Sequence, residues 1–157
     1  MATTFVDMKG ATLTFAATEA ELATAGLDVS CQIQDAHVQP APETETTGAT
    51  LCLDAVDRTV GLKATLEITA FQDWSDPAGF CWFLQTNKLT DQYFELALPA
   101  SGSHTGKVTL VPLPYGGAAG SSLTGTVSMA IEEWADVPPA PAGTAATVDA
   151  EAATAAA

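Results

Sequence analysis

The strictest constraint in this sequence is an alternation that runs from Gly61 to Phe71. Leu62, Ala64, Leu66, Ile68 and Ala70 fall on one side of an extended chain, and Lys63, Thr65, Glu67 and Thr69 on the other. Successive side chains of a strand point to opposite faces, so this segment buries one face and wets the other as a β-strand. A helix would scatter the same apolar residues around its circumference. The period recurs at Leu27 to Gln34, with Leu27, Val29, Cys31 and Ile33 expected inward, and at Leu123 to Glu133, with Leu123, Val127, Met129 and Ile131 inward. Shorter candidates are Thr12 to Ala16, Thr50 to Val56, Tyr93 to Leu98 and Gly106 to Pro112, each bounded by residues that set turns. The expectation is a mainly β fold, a β-sandwich or rolled barrel of about seven strands.

One segment breaks the period. In Ser75 to Leu89, Asp76 stands as an N-cap before Pro77 at the first helical position, and Phe80, Phe83, Leu84 and Asn87 follow helical spacing. Lys88 lies where the negative end of a helix dipole would favour it. A single short flanking α-helix with its aromatic side on the sheet is expected. Gln39 to Gly48 (QPAPETETTG) reads as a polar, proline-containing loop, and Tyr115 to Ser122 (YGGAAGSS) as a flexible connection between strands. Residues 138–157 are nearly all Pro, Ala, Thr, Gly and acidic residues, without the aromatic and leucine side chains that build a core. The division expected is a β-domain over 1–137 and a flexible tail over 138–157.

Charge excludes one large class of function. The 157 residues carry 19 acidic against 5 basic side chains, a formal net charge of −14. Phosphate backbones are held by Lys and Arg that displace condensed counterions, and Lys9, Lys63, Lys88, Lys107 and Arg58 are too few and too scattered for a basic groove. The start, MATTFVDMKGATLTF, has no basic region followed by an apolar stretch, so no signal peptide is expected. The apolar cluster Ala78 to Leu84 is far short of the ~20 residues of a membrane span, and no membrane association is expected.

A search for chemistry finds no active site. Cys31, Cys52 and Cys81 are odd in number and set among apolar neighbours, as expected of buried thiols acting as small hydrophobes. With His37 and His104 they lack the short spacing of a zinc site. His104 is expected in a solvated turn and His37 on a strand or its edge. Gly120-Ser121-Ser122-Leu123-Thr124 lacks the last glycine of a nucleophile elbow, and Tyr115-Gly116-Gly117-Ala118-Ala119-Gly120 lacks the first glycine of a dinucleotide loop. The acidic pairs Asp73/Asp76, Asp54/Asp57 and Glu132/Glu133 match no calcium loop and read as solvated charge. No catalytic, cofactor-binding or metal-ligating residues are nominated, and no cofactor is implied.

The order of features resembles that of phage tail tube proteins, particularly of siphoviruses infecting actinobacteria. The residues that carry it are the block Gly61 to Phe71, then Asp73-Trp74 and the aromatic helix from Ser75 to Leu89, then Tyr93 to Leu98 and the strand from Leu123 to Ile131. The similarity spans about residues 5–136 and is one of organisation, since this family has few signature motifs. It implies a subunit related in fold to type VI secretion tube proteins, without enzymatic activity. Six copies would form a ring in which neighbours continue one another's strands into a closed inner barrel. Rings would stack around a tape measure protein, with a tail terminator and a distal tail protein as further partners. DNA would pass through the lumen without specific binding, and the protein would assemble in the host cytoplasm and reside in the virion tail.

Three expectations follow. Thr65, Glu67 and Thr69, with Thr124, Thr126, Ser128 and Glu132, should face away from the core; the bore should be net negative; and 138–157 should be dispensable for subunit folding. Two other readings stand beside this one: a different virion component, such as a capsid decoration protein or tail terminator, and an enzyme or ligand carrier with an unrecognised site.

Overall fold

The computed structural model describes residues 8–48, 56–99, 101–118, 120 and 122–139. Seven strands appear in the order β1 (Thr12–Ala16), β2 (Leu27–Asp28), β3 (Ile33–Thr47), β4 (Val56–Phe71), β5 (Asp91–Leu98), β6 (Gly102–Thr109) and β7 (Thr124–Val137), with α1 (Phe80–Thr86) between β4 and β5. All pairs are antiparallel in one sheet of order β2-β1-β5-β6-β7-β4-β3.

Connectivity shows that this sheet is curled. Its edge strands β2 and β3 are joined only by Val29 to Gln32. Strands lie about 4.8 Å apart, so a flat sheet would set these edges about 29 Å apart, whereas five residue steps reach about 18 Å at most. The sheet therefore rolls until its edges approach, the rolled form of the two that the sequence allowed. The joining segment is a 3₁₀ turn at Ser30–Gln32, tied to β1 by the Leu13 amide donating to Ser30 Oγ at 2.9 Å and the Val29 amide to Leu13 O at 3.0 Å.

Inside the roll lies the core. Leu66 and Ile68 of β4, Phe94 of β5, Val108 of β6 and Met129 of β7 are fully buried, and α1 plugs the concave side with Phe80, Cys81 and Leu84. Phe15 of β1 stacks against Phe80 at 5.9 Å and meets Phe83 at 5.8 Å. Gly106 is required where β6 crosses this aromatic layer: a Cβ there would come within 2.5 Å of Glu133 O and 2.8 Å of Phe94 Cε1. At Gly102, φ of +91° turns β5 into β6, and a Cβ would strike Val137 O.

Several expectations are corrected. Gln39 to Gly48 is not a loop: residues 39–47 continue β3, paired with β4 from Gln39↔Thr65 to Thr47↔Val56. Pro40 and Pro42 are tolerated because β3 is an edge strand, where an absent N–H on the outer side breaks no ladder bond. Leu27 to Gln34 is not one strand, because the 3₁₀ turn interrupts it and leaves Cys31 exposed rather than inward. Gly106 to Pro112 begins earlier and ends earlier as β6, which places His104 on a strand instead of in a turn. Leu123 precedes β7 and is 40% exposed, with Gly125 taking the inward position. Asp76 does not cap the helix. It accepts from the Ala78 amide at 2.9 Å, Gly79 is the N-cap, and the Phe80 amide donates to Gln32 Oε1 at 2.6 Å from a residue distant in sequence. Cys52, Asp54 and residues 50–55 of the candidate strand Thr50 to Val56 lie outside the described residues, as do 140–157.

Candidate functional site

The convex face of the roll is rich in hydroxyl and carboxylate side chains, with Phe71 and Tyr93 among them. Residues alternating with the core positions bring together Asp35, His37, Gln39 and Glu43 of β3, Lys63, Thr65, Glu67 and Thr69 of β4, and Thr124, Thr126, Ser128 and Glu132 of β7. Ser103, Thr105, Lys107 and Thr109 of β6 continue it onto Asp91 and Glu95 of β5. The outward positions expected from the alternation are thus where the structure puts them, while Leu66, Ile68, Val127 and Met129 are buried.

Hydroxyl groups are spread over this face and bond to one another and to carboxylates, with Thr69 Oγ1 and Thr126 Oγ1 at 2.9 Å and Thr109 Oγ1 donating to Asp91 Oδ1 at 2.9 Å. Carboxylates are set among them. A bulge between Lys107 and Val108 in the β6–β7 pairing places Glu132 and Glu133 together beside Lys107. Lys107 Nζ lies 3.0 Å from Asp91 Oδ2 and 3.3 Å from Glu132 Oε2, and Lys63 Nζ lies 2.6 Å from Glu43 Oε1. Hydrogen bonds from Lys107 and Thr109 hold the Asp91 carboxyl below its ordinary value of 3.8, and Asp91 and Glu132 raise Lys107 above 10.5. Both lysines of this face are therefore engaged by carboxylates. Asp35, Glu67, Glu95 and Glu133 add further negative charge, so the surface offers phosphate no strong cationic grip.

Of the other groups singled out in the sequence, His37 lies within the convex face and the rest are dispersed. His37 lies 3.4 Å from Asp35 and 3.8 Å from Glu67, and His104 Nδ1 lies 2.5 Å from Asp136 Oδ1. Asp73 accepts from Ser75 N at 3.0 Å and Ser75 Oγ at 2.6 Å, bonds that lower its pKa and close a turn. Cys81 is buried as expected; desolvation raises its thiol above 9.0. Among the described residues, no group of three or more His, Cys, Asp or Glu side chains could hold a metal ion.

A second feature lies where β3 and β4 pair with each other alone among the described residues. Pairing of β4 with β7 begins at Ala64, so Val56 to Lys63 and their β3 partners form a two-stranded arm. At about 3.3 Å per residue the arm runs about 26 Å past the last pair of β4 with β7. Cross-strand bonds support it, with Thr46 Oγ1 and Asp57 Oδ1 at 2.6 Å. It carries Val60 and Leu62, 50% and 64% exposed, near Pro42.

Known structures share this fold. A chain in the tail of an empty gene transfer agent particle, determined with helical refinement and C6 symmetry, matches with a TM-score of 0.57 and 12% identity over 85% of this chain and 98% of that one. A chain in the virion of a native gene transfer agent particle matches with a TM-score of 0.55 and 10% identity over 83% of this chain and 98% of that one. At these identities the likeness establishes a common fold. No protein-family model and no curated protein matches the sequence.

Proposed function

We propose that this protein is a major tail tube subunit of a siphovirus, a non-enzymatic building block whose six-membered rings stack into the conduit for DNA ejection. The observation that carries the reading is the pairing of a fold shared with a chain from a C6-symmetric tail with a convex face rich in hydroxyls and carboxylates. A bore must pass a polyanion without holding it. A wall of neutral hydroxyls with its lysines already neutralised repels phosphate weakly and offers no counterion-releasing contacts.

Assembly follows from the same geometry. In this reading, open edges of the rolled sheet are completed by neighbours in a ring. The β3–β4 arm is the element that reaches out, seating Val60 and Leu62 on another copy. The contact is head-to-tail, closing around six subunits and repeating along the axis. Tape measure, tail terminator and distal tail proteins are the partners of such a tube, which belongs to the virion tail and assembles in the host cytoplasm. Residues 138–157 form a unit apart from the 1–137 β-domain, too poor in large apolar side chains to offset the cost of ordering them.

Negative-stain images of the purified chain at high concentration test this. Long hollow fibres with six-fold end views are expected. Small closed oligomers would point instead to a decoration protein or terminator, and monomers alone would overturn the assembly.

A further inference from the structure

Three aromatic side chains line an open cleft at the margin of the core, against which Trp74 packs. Trp74 meets Trp82 edge-on at 5.7 Å and Tyr115 at 5.1 Å, over a floor of Leu113, enclosing about 420 Å³. The cleft is held in shape. Trp82 Nε1 donates to Trp74 O at 2.9 Å, and Gln72 accepts from the Gly116 amide at 3.0 Å while donating to Gly116 O at 3.0 Å and Thr124 O at 2.9 Å. Yet Tyr115 is 82% exposed and Trp82 40% exposed. Rigid, exposed aromatic rings set edge to face are the surface on which proline rings and extended proline-rich segments pack.

The chain carries such a segment, Pro138-Pro139-Ala140-Pro141, directly after β7. The cleft lies at the opposite end of that strand, since Gln72 bonds to Thr124 at the start of β7, whereas Val137 at its end pairs with Ser103. Thirteen residue steps of strand separate the two by about 40 Å, and four residues reach about 14 Å. The prolines of one copy therefore cannot enter their own cleft. Head-to-tail stacking, on the tube reading above, brings the end of β7 in one copy toward the cleft end of the next.

We propose that the Trp74–Trp82–Tyr115 cleft receives the Pro138–Pro141 segment of the copy stacked against it, latching successive rings. Charge fixes which part of the segment enters. Asp73 and Asp76 flank the cleft in sequence, so the uncharged residues 138–148 fit and the acidic Asp149 and Glu151 do not. The rings of Trp82 and Tyr115 supply flat faces for proline, and no main-chain donor is needed from residues that lack one.

The test uses the full chain with photoreactive p-benzoylphenylalanine in place of Tyr115, mixed from isotopically heavy and light copies, imaged and then irradiated. Mass spectrometry should find cross-links from position 115 to 138–148 in heavy–light pairs. Replacing Pro138, Pro139 and Pro141 with glycine in the same chain should lower their yield about tenfold, as expected for removing central contacts of an interface. Tubes whose cross-links fall elsewhere, or only within one copy, would overturn the latch and leave the tube intact. Absence of both tubes and heavy–light cross-links would overturn the latch together with the reading on which it rests.

Discussion

Leu66 and Leu62 lie on the same side of one strand, two alternations apart, with β3 alongside both; Leu66 is completely buried and Leu62 is 64% exposed. What separates them is their other neighbours. From Ala64 onward β4 is flanked by β7 and covered by the core around α1, while before Ala64 only β3 pairs with it among the described residues. The same side chain thus supports the subunit in one half of the strand and is left in water in the other. Alternation specifies a face; what covers that face depends on the rest of the chain.

The largest break in this comparison comes from its buried half. Leu66→Ala leaves a cavity in a layer shared by three strands and should destabilise the subunit by about 2–5 kcal/mol in chemical denaturation. A loss below about 1 kcal/mol would show that the core repacks around it.

Gly106→Val probes the same layer by overfilling. With Glu133 O, Phe94 Cε1 and Ile131 Cγ2 all within 2.9 Å of a Cβ, strands must move apart, and a loss of about 1–3 kcal/mol is expected. Unchanged thermal stability would contradict the close packing of β5, β6 and β7.

Leu62→Asp should do the reverse. Subunit stability should stay within about 0.5 kcal/mol of the parent, because the side chain is already in water, while fibre formation seen by light scattering is abolished. Normal fibres from this variant would remove the arm from the assembly; a collapsed melting temperature would place Leu62 in the subunit's own core.

The smallest effect concerns the ion pairs of the convex face. Asp91 has its folded-state pKa depressed by Lys107 and Thr109, so its contribution is present above 3.8 and fades as the pH falls below that value. Lys107 is raised, so its contribution is complete below 10.5 and is lost as the pH climbs past its higher folded value. Both groups are solvated, so the stability change in Asp91→Asn should be slight, and should shrink as the pH falls below 3.8 and in high salt. A salt-independent loss would mean that Asp91 acts through packing.

The sequence determined the faces. The period through Gly61 to Phe71 placed Leu66 and Ile68 inward and Thr65, Glu67 and Thr69 outward. The spacing of Phe80 and Leu84 placed a helix on the sheet, because side-chain direction in a strand or helix is a local consequence of backbone geometry. Partnership and extent were left to the tertiary structure. Residues 39–47 read as a loop because Pro and Thr-Glu repeats lack an apolar rhythm, yet an edge strand needs only a partner's backbone to pair with, and β4 supplies it. The helix begins at Phe80 rather than after Asp76 because Gln32, folded in from the 3₁₀ turn, offers the oxygen its first amide needs. The cleft of Trp74, Trp82 and Tyr115 has no local signature at all: its members come from three segments and meet because Gln72 ties two strand ends together. Backbone alternation is written in neighbouring residues; contacts between distant ones exist only once the sheet has rolled.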